Sequence, residues 1–237
     1  MQLFYHTNLS ENILILPEEE SKHIIRVLRK QKGERIILID GKGNEAVGII
    51  ESDNPKKCEV QVSSILHHPQ NRAYHLHLAI APTKQFERMD GFIEKAIEIG
   101  VDEITFIETQ NSERDKVNLK RCEKIAISAI KQSKQFWLPK INGIKKLSEF
   151  ISTQNENSAQ KMIAWCEEES SNNLTPQISK TSTNFVVLIG PEGDFTRAEI
   201  ELAKTAQFIP VSLGSNILRT ETAGIFVCAA FACRVDK

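Results

Sequence analysis

The chain has 237 residues, 41% hydrophobic and 26% charged, an ordinary balance for a globular protein and enough length for two modest domains. Thirty Lys and Arg stand against 31 Asp and Glu, so net charge alone does not announce a polyanionic partner, and no apolar run approaches the length of a bilayer-spanning helix. The cysteines (Cys58, Cys122, Cys166, Cys228 and Cys233) form no CxxC pair, and Met1–Ser10 lacks a basic start followed by an apolar core. Both features read as reduced thiols in a cytoplasmic protein, with Cys228 and Cys233 as core filler in apolar surroundings.

Taken in chain order, the first ~70 residues read as short strands around one helix. A helix is expected over Glu18–Arg29, before the Lys32-Gly33 break. Ile36–Asp40 and Ala46–Ile50 flank Asp40-Gly41-Lys42-Gly43, a hairpin signal, and Val60, Val62 and Ile65 suggest a further strand. His67–Arg72 reads as a linker. After Tyr74 the rhythm changes to strands alternating with longer helices, the mark of an α/β domain. Strands are expected at Leu76–Ala81, Ile104–Ile107, Met162–Trp165, Phe185–Ile189 and Phe208–Leu213. Helical spacing appears from Phe86 to Ile97, stopped by Gly100, and over Leu119–Ser133. Glu167–Asn184 reads as a polar surface loop. Thr196-Arg197-Ala198-Glu199 fits a capping box, and the almost wholly apolar Ala223–Cys233 implies a helix buried on most sides.

Charge is clustered although the total is near zero. Lys22–Arg35 holds six basic residues and one acid, and Ser112–Lys146 holds ten basic residues and three acids. Such clusters make either a phosphate-facing surface or a solvated helix face. His75 and His77 share one strand face, but no companion ligands stand at metal-site spacing, so no metal is expected.

Two glycine-containing bends carry the chemistry. Leu188-Ile189-Gly190-Pro191-Glu192-Gly193 follows an apolar strand, where glycine lets backbone approach a ligand and a helix start would offer free N–H groups. It is not a phosphate loop, because neither Gly-Lys-Ser/Thr nor GxGxxG is present. Leu213-Gly214-Ser215-Asn216-Ile217-Leu218-Arg219-Thr220-Glu221-Thr222-Ala223 follows a second strand and sets an arginine and an acid against a greasy helix. Either these residues form a cap and an Arg219–Glu221 ion pair, or they are used in chemistry.

Together these two motifs resemble the paired signature of the RsmE family, which methylates a uridine in small-subunit ribosomal RNA. His23-Ile-Ile-Arg-Val-Leu-Arg29, Glu94-Lys-Ala-Ile-Glu-Ile-Gly-Val101, Ser112-Glu-Arg114, Gln132-Ser133 and Pro139 are similar to further family motifs, in order along nearly the whole chain. The resemblance implies an α/β fold with a PUA-like β-barrel RNA-binding domain at 1–70 and a SPOUT domain with a trefoil knot at 74–237. It implies S-adenosylmethionine as cofactor and N3 of a uridine in 16S RNA as acceptor. The partners it implies are ribosomal RNA or the assembled 30S subunit and a second copy of the chain, with no membrane.

Carried over residue by residue, the resemblance places the cofactor on Leu188, Ile189, Gly190, Pro191, Glu192, Gly193, Leu213, Gly214, Ile217, Leu218, Arg219, Thr220 and Ala223, with a third loop after the Met162–Trp165 strand. Arg219 and Arg114 are expected to stabilise charge, and Glu221 to orient Arg219 or accept a proton. His23, Arg26, Arg29, Lys30 and Lys134 are expected to contact RNA. Two departures stand out. The family's Gly-Arg after Gln132-Ser133 is here Lys134-Gln135-Phe136-Trp137, whose aromatics either stack on a base or pack internally. The second glycine of the family's Pro-Glu-Gly-Gly run is here Asp194, expected to lie beyond the cofactor loop.

Overall fold

The structure, a computed structural model, describes residues 2–154, 158–166 and 172–235. The chain forms two compact units, Met1–Asn71 with Ile127–Leu138, and Arg72–Ala126 with Pro139–Lys237.

The first unit contains β1 (Leu3–Tyr5), β2 (Ile13–Ile15), α1 (Glu18–Lys22), a π-helical turn (His23–Val27), β3 (Arg35–Ile39), β4 (Asn44–Ser52) and β5 (Glu59–His67). The strands lie in the order β1-β3-β4-β5-β2. Register shifts at Val47/Gly48 and Ile50/Ser52 of β4 curl the sheet around a core that includes Phe4, Leu14, Leu16, Ile24, Leu38, Ile50 and Val60. The expected hairpin is present, with Asp40 Oδ1 accepting the N–H groups of Lys42 (2.7 Å) and Asn44 (3.1 Å). The expected single helix over Glu18–Arg29 is instead one α-turn followed by the π-turn, which ends before Arg29 in a left-handed conformation (φ 57°).

Ile127–Leu138 belongs to this unit, although the sequence division at 74 assigned it to the other. Its tail pairs with the hairpin turn: Gly43 N–H reaches Phe136 O (2.9 Å) and Leu138 N–H reaches Gly41 O (2.8 Å). Phe136 stacks flat on His68 (3.7 Å between centroids, 3°), and Trp137 stands edge-on to His67 and donates its indole N–H to His68 O (3.0 Å). Both aromatics therefore pack internally.

The second unit contains β6 (His75–Ile80), α2 (Glu87–Ile99), β7 (Glu103–Glu108), β8 (Lys140–Lys146), α4 (Leu147–Thr153), β9 (Gln160–Ala164), α5 (Leu174–Gln177), β10 (Asn184–Ile189), α6 (Arg197–Thr205), β11 (Ile209–Val211) and α7 (Thr220–Val235). Helix α3 (Leu119–Ser133) starts in it and ends in the first unit. Its sheet is six-stranded and parallel throughout, in the order β11-β9-β10-β6-β7-β8. Central β6, β9 and β10 are buried along most of their length, and in β10 this is why Phe185–Ile189 reads as a continuous apolar run. Edge strand β8, Lys-Ile-Asn-Gly-Ile-Lys-Lys, has no such run and was not foreseen.

Helix α7 packs on α2 with Gly224 as the contact point. A Cβ there would stand 2.4 Å from the Phe92 ring, so only glycine permits this approach. Within the expected polar loop Glu167–Asn184, residues 167–171 lie outside the described residues. The remainder is not merely surface, since Leu174 and Ile178 are buried and Leu174 opens α5. Cys228 is buried as expected of core filler, but Cys233 is exposed because it falls on the outer side of α7.

Candidate active site

In the second unit the chain leaves β9, β10 and β11, three neighbouring parallel strands, at the same end of the sheet. Their exits enclose a cavity of about 490 Å³, a size suited to a nucleoside-sized ligand. Its walls are Ala164–Cys166 after β9, Ile189–Asp194 after β10, and Ser212–Thr220 with Ala223 after β11.

The site is built from short sequence decisions. The capping box at Thr196 and Glu199 starts α6 directly after the β10 exit, so that exit must turn within a few residues. It does so at Gly190, where a Cβ would stand 3.2 Å from the Phe195 ring and 3.3 Å from Asp194 Oδ1. Thr220, first residue of α7 and buried, donates its hydroxyl to Gly190 O (3.0 Å), joining the β11 exit to the β10 exit. Asn111, beyond β7, donates to the carbonyls of Gly193 (2.9 Å) and Asp194 (3.0 Å). Lys84 N–H, beyond β6, meets Glu192 Oε1 at 3.3 Å.

All expected cofactor residues except Leu188 line this cavity. Leu188 alternates inward and is packed in the core with Ile163, Val186 and Phe208. The expected third loop begins at Cys166, which lines the cavity beside Trp165, and its residues 167–171 lie outside the described residues; Lys204 Nζ lies 5.6 Å over the Trp165 ring. Asp194 is a cavity residue, not one beyond the loop as expected, because the turn folds it back over Gly190. Burial, then the Asp194 charge, pushes the Cys166 thiol upward, so it is protonated at neutral pH.

The expected catalytic residues do not gather. Arg219 lines the cavity, is exposed, and has no ion pair with Glu221. Glu221 lies off the cavity, half-buried, with Oε2 shielded and unpartnered among the described residues. Arg114 also lies outside the cavity. Its Nε and Nη2 donate to the carbonyls of Thr83 (3.2 Å) and Lys84 (2.8 Å), and its guanidinium sits 5.5 Å over Phe86. It braces the β6–α2 loop, whose Lys84 amide touches Glu192, and the sequence offered no signal for this bracing.

The expected RNA-contacting residues all fall in the first unit, Lys134 included. Arg26, Arg29 and Lys134 are exposed, and Arg29 and Lys134 both hold left-handed backbone (φ 57° each). His23 accepts from Gln2 Nε2 (2.7 Å). Lys30 is engaged by Glu34 (3.0 Å), and that bond, with the Gln31 amide, holds the Glu34 carboxyl below its ordinary pKa. Among the described residues no group of His, Cys, Asp or Glu is arranged to hold a metal ion, and no helix is long and apolar enough to cross a membrane.

Comparison with known proteins identifies this arrangement. The RNA methyltransferase domain family matches residues 69–232, and the RNA methyltransferase PUA domain family matches residues 16–63. A Mesomycoplasma hyopneumoniae protein named ribosomal RNA small subunit methyltransferase E is 32% identical, the match covering 96% of this chain and 97% of that one. The chain belongs to this RNA methyltransferase family. Two solved structures resemble this RNA methyltransferase over nearly its whole length. A Porphyromonas gingivalis protein is 40% identical with a TM-score of 0.89, covering 96% of this chain and 95% of that one. A ribosomal RNA small subunit methyltransferase E from Neisseria gonorrhoeae, solved bound to S-adenosyl methionine, is 27% identical with a TM-score of 0.84, covering 99% and 98%.

Proposed function

We propose that the protein transfers a methyl group from S-adenosylmethionine to N3 of a uridine in small-subunit ribosomal RNA, in the cytoplasm where that RNA is made. The observation that carries the reading is the cavity at the ends of β9, β10 and β11, with an arginine at its wall that has no ion pair among the described residues.

The residues present fit such a cofactor. Ile217 lines the cavity yet is 86% exposed, an apolar side chain suited to covering by a flat, partly apolar ligand. Trp165, Ile189, Pro191 and Leu218 add apolar wall, and the glycines leave main-chain N–H and C=O groups within reach of the polar edges of an adenine. When bound, the cofactor supplies an already activated methyl group, so the protein's own work is positioning and charge stabilisation. The imide of uracil must lose its N3 proton before the nitrogen can attack. Arg219 stabilises the negative charge that spreads over N3 and its flanking carbonyl oxygens. Arg114, lying off the cavity, acts on the reaction through the β6–α2 loop it holds, and Glu221 stands off the cavity in the first turn of α7. The base must be unstacked to reach the cavity, and Arg26, Arg29 and Lys134 hold phosphates meanwhile.

Two further elements belong to this reading. The loops around the cavity form the trefoil knot, with β11 and β10 flanking β9 although β9 comes first in the chain. The chain works as a homodimer through α7, whose Phe226 is 39% exposed and whose Glu221 Oε2 awaits a partner, and sedimentation analysis tests this. Incubation with labelled S-adenosylmethionine and unmodified small ribosomal subunits tests the activity. Label mapped to N3 of one uridine supports it, whereas label on ribose, on another base, or nowhere would overturn it.

A further inference from the structure

We propose that Asp194, assisted by Asn111, is a positioning residue that ties the β9 and β10 exits and the segment beyond β7 into one rigid wall of the cofactor cavity. The inference rests on the cofactor reading above and goes beyond it by naming what holds the cavity in shape.

Asp194 is the one cavity-lining residue other than glycine with positive φ (56°). That conformation is unfavourable for residues with a Cβ, and aspartate accepts it when its side chain bonds locally. Here the side chain bonds both locally and across. Oδ1 accepts the N–H of Phe195 (2.7 Å), and Oδ2 accepts the N–H of Cys166 (3.1 Å), which lies on the β9 exit. The main chain of the same residue is held as well: its N–H reaches Pro191 O (3.0 Å) and its carbonyl receives Asn111 Nδ2 (3.0 Å). Asn111 holds the Gly193 carbonyl with the same amide group (2.9 Å). The carboxylate occupies the space that Gly190 leaves open, 3.3 Å from where a Cβ would stand.

A residue that only filled a turn would be replaced by glycine without loss, because glycine adopts this φ freely. Asp194 makes the opposite arrangement: local backbone strain is retained and two loops are joined. Loops held before a ligand arrives lose less freedom when it binds, so the benefit appears in affinity and not in fold stability. Asp194→Gly therefore separates two quantities that a merely structural residue would move together.

The experiment compares the full-length wild type with Asp194→Gly, Asp194→Asn and Asn111→Ala. It measures S-adenosylmethionine affinity by calorimetry, melting temperature without ligand, and amide exchange at Cys166. Asp194→Gly should weaken binding about tenfold, leave the melting temperature unchanged or slightly raised, and speed exchange at Cys166. Asp194→Asn keeps the left-handed backbone and one acceptor, so it should lose only about threefold, as should Asn111→Ala. Wild-type affinity in Asp194→Gly would overturn the proposal, as would a matching loss of melting temperature. A wild-type protein that fails to bind S-adenosylmethionine would overturn the cofactor reading itself, a failure visible before any variant is compared.

Discussion

In the N-terminal half of β6, β7 and β8, polar side chains bond to one another. His77 Nε2 meets Thr105 Oγ1 (2.8 Å), and Asn142 Nδ2 donates to Glu103 Oε1 (2.6 Å) and Thr105 Oγ1 (2.8 Å). Phe150 closes over His77 edge-on at 5.3 Å. Burial drives the His77 pKa down to about 4 despite the nearby Glu103 carboxylate. For Glu103, burial pushes the carboxyl upward, but His77, Asn142 and Lys140 together outweigh it and hold the pKa below its ordinary value. At the other end of the same sheet, the exits of β9, β10 and β11 offer glycines, apolar walls and Arg219, which has no ion pair among the described residues. The titratable cluster is thus the inward-satisfied end and the sparse one is the receptive end. A shifted pKa marks burial here, and the cavity end is marked by an arginine without a partner among the described residues.

That contrast can be broken by substitutions whose effects should not cross from one end to the other. The largest effect is expected from Arg219→Ala: turnover should fall about 10²- to 10³-fold while the unfolding midpoint stays put, as single-turnover kinetics and urea titration would read. Next comes the pH response of His77. An unfolded histidine takes a proton below its ordinary value near 6.5, whereas the folded one resists until about 4, so the unfolded state binds more protons in that window. Stability contributed by neutral His77 is present above pH 6.5 and should fall by roughly 3 kcal/mol as pH drops toward 4. Urea unfolding of wild type and His77→Gln at pH 7 and pH 5 would check it, the variant showing the smaller fall.

Asn142→Leu should cost about 2 kcal/mol, since it strips partners from Glu103 and Thr105, yet leave cofactor affinity unchanged by calorimetry. The smallest effect is expected from Gly190→Ala. Its Cβ would press on Phe195 and the Asp194 carboxylate, weakening cofactor binding about fivefold, near 1 kcal/mol, with little change in melting temperature. A stability change from Arg219→Ala, or an affinity change from Asn142→Leu, would mean that the two ends are coupled.

The receptive end was readable from sequence because its signals are local. The apolar run Phe185–Ile189, the glycine bends and the capping box each lie within a few residues, and every expected cofactor residue but Leu188 reached the cavity. What was not readable depends on distant partners. Asn111 and Arg114 act on carbonyls 82 and 30 residues away, and no pattern along the chain announces such bonds. Strand β8 is polar because only its edge position is needed. Phe136 and Trp137 sit after a helix of the second unit by sequence, yet pair with a hairpin turn of the first. The π-turn at His23–Val27 looks helical by composition, and one extra residue per turn leaves no mark on the spacing.

The thiols sort themselves into silent and addressable positions. Cys58, Cys122 and Cys228 are buried, and burial raises their pKa values to about 11, 11 and 12, which makes them slow toward alkylating dyes. Cys166 and Cys233 are the exposed pair, and only Cys166 belongs to the cavity wall. With Cys233 changed to serine, a fluorophore attached at Cys166, which is exposed although its own pKa is also raised, would sit at the rim of the cavity. Its emission would then register occupancy in real time, without a radioactive donor or a ribosome in the cuvette.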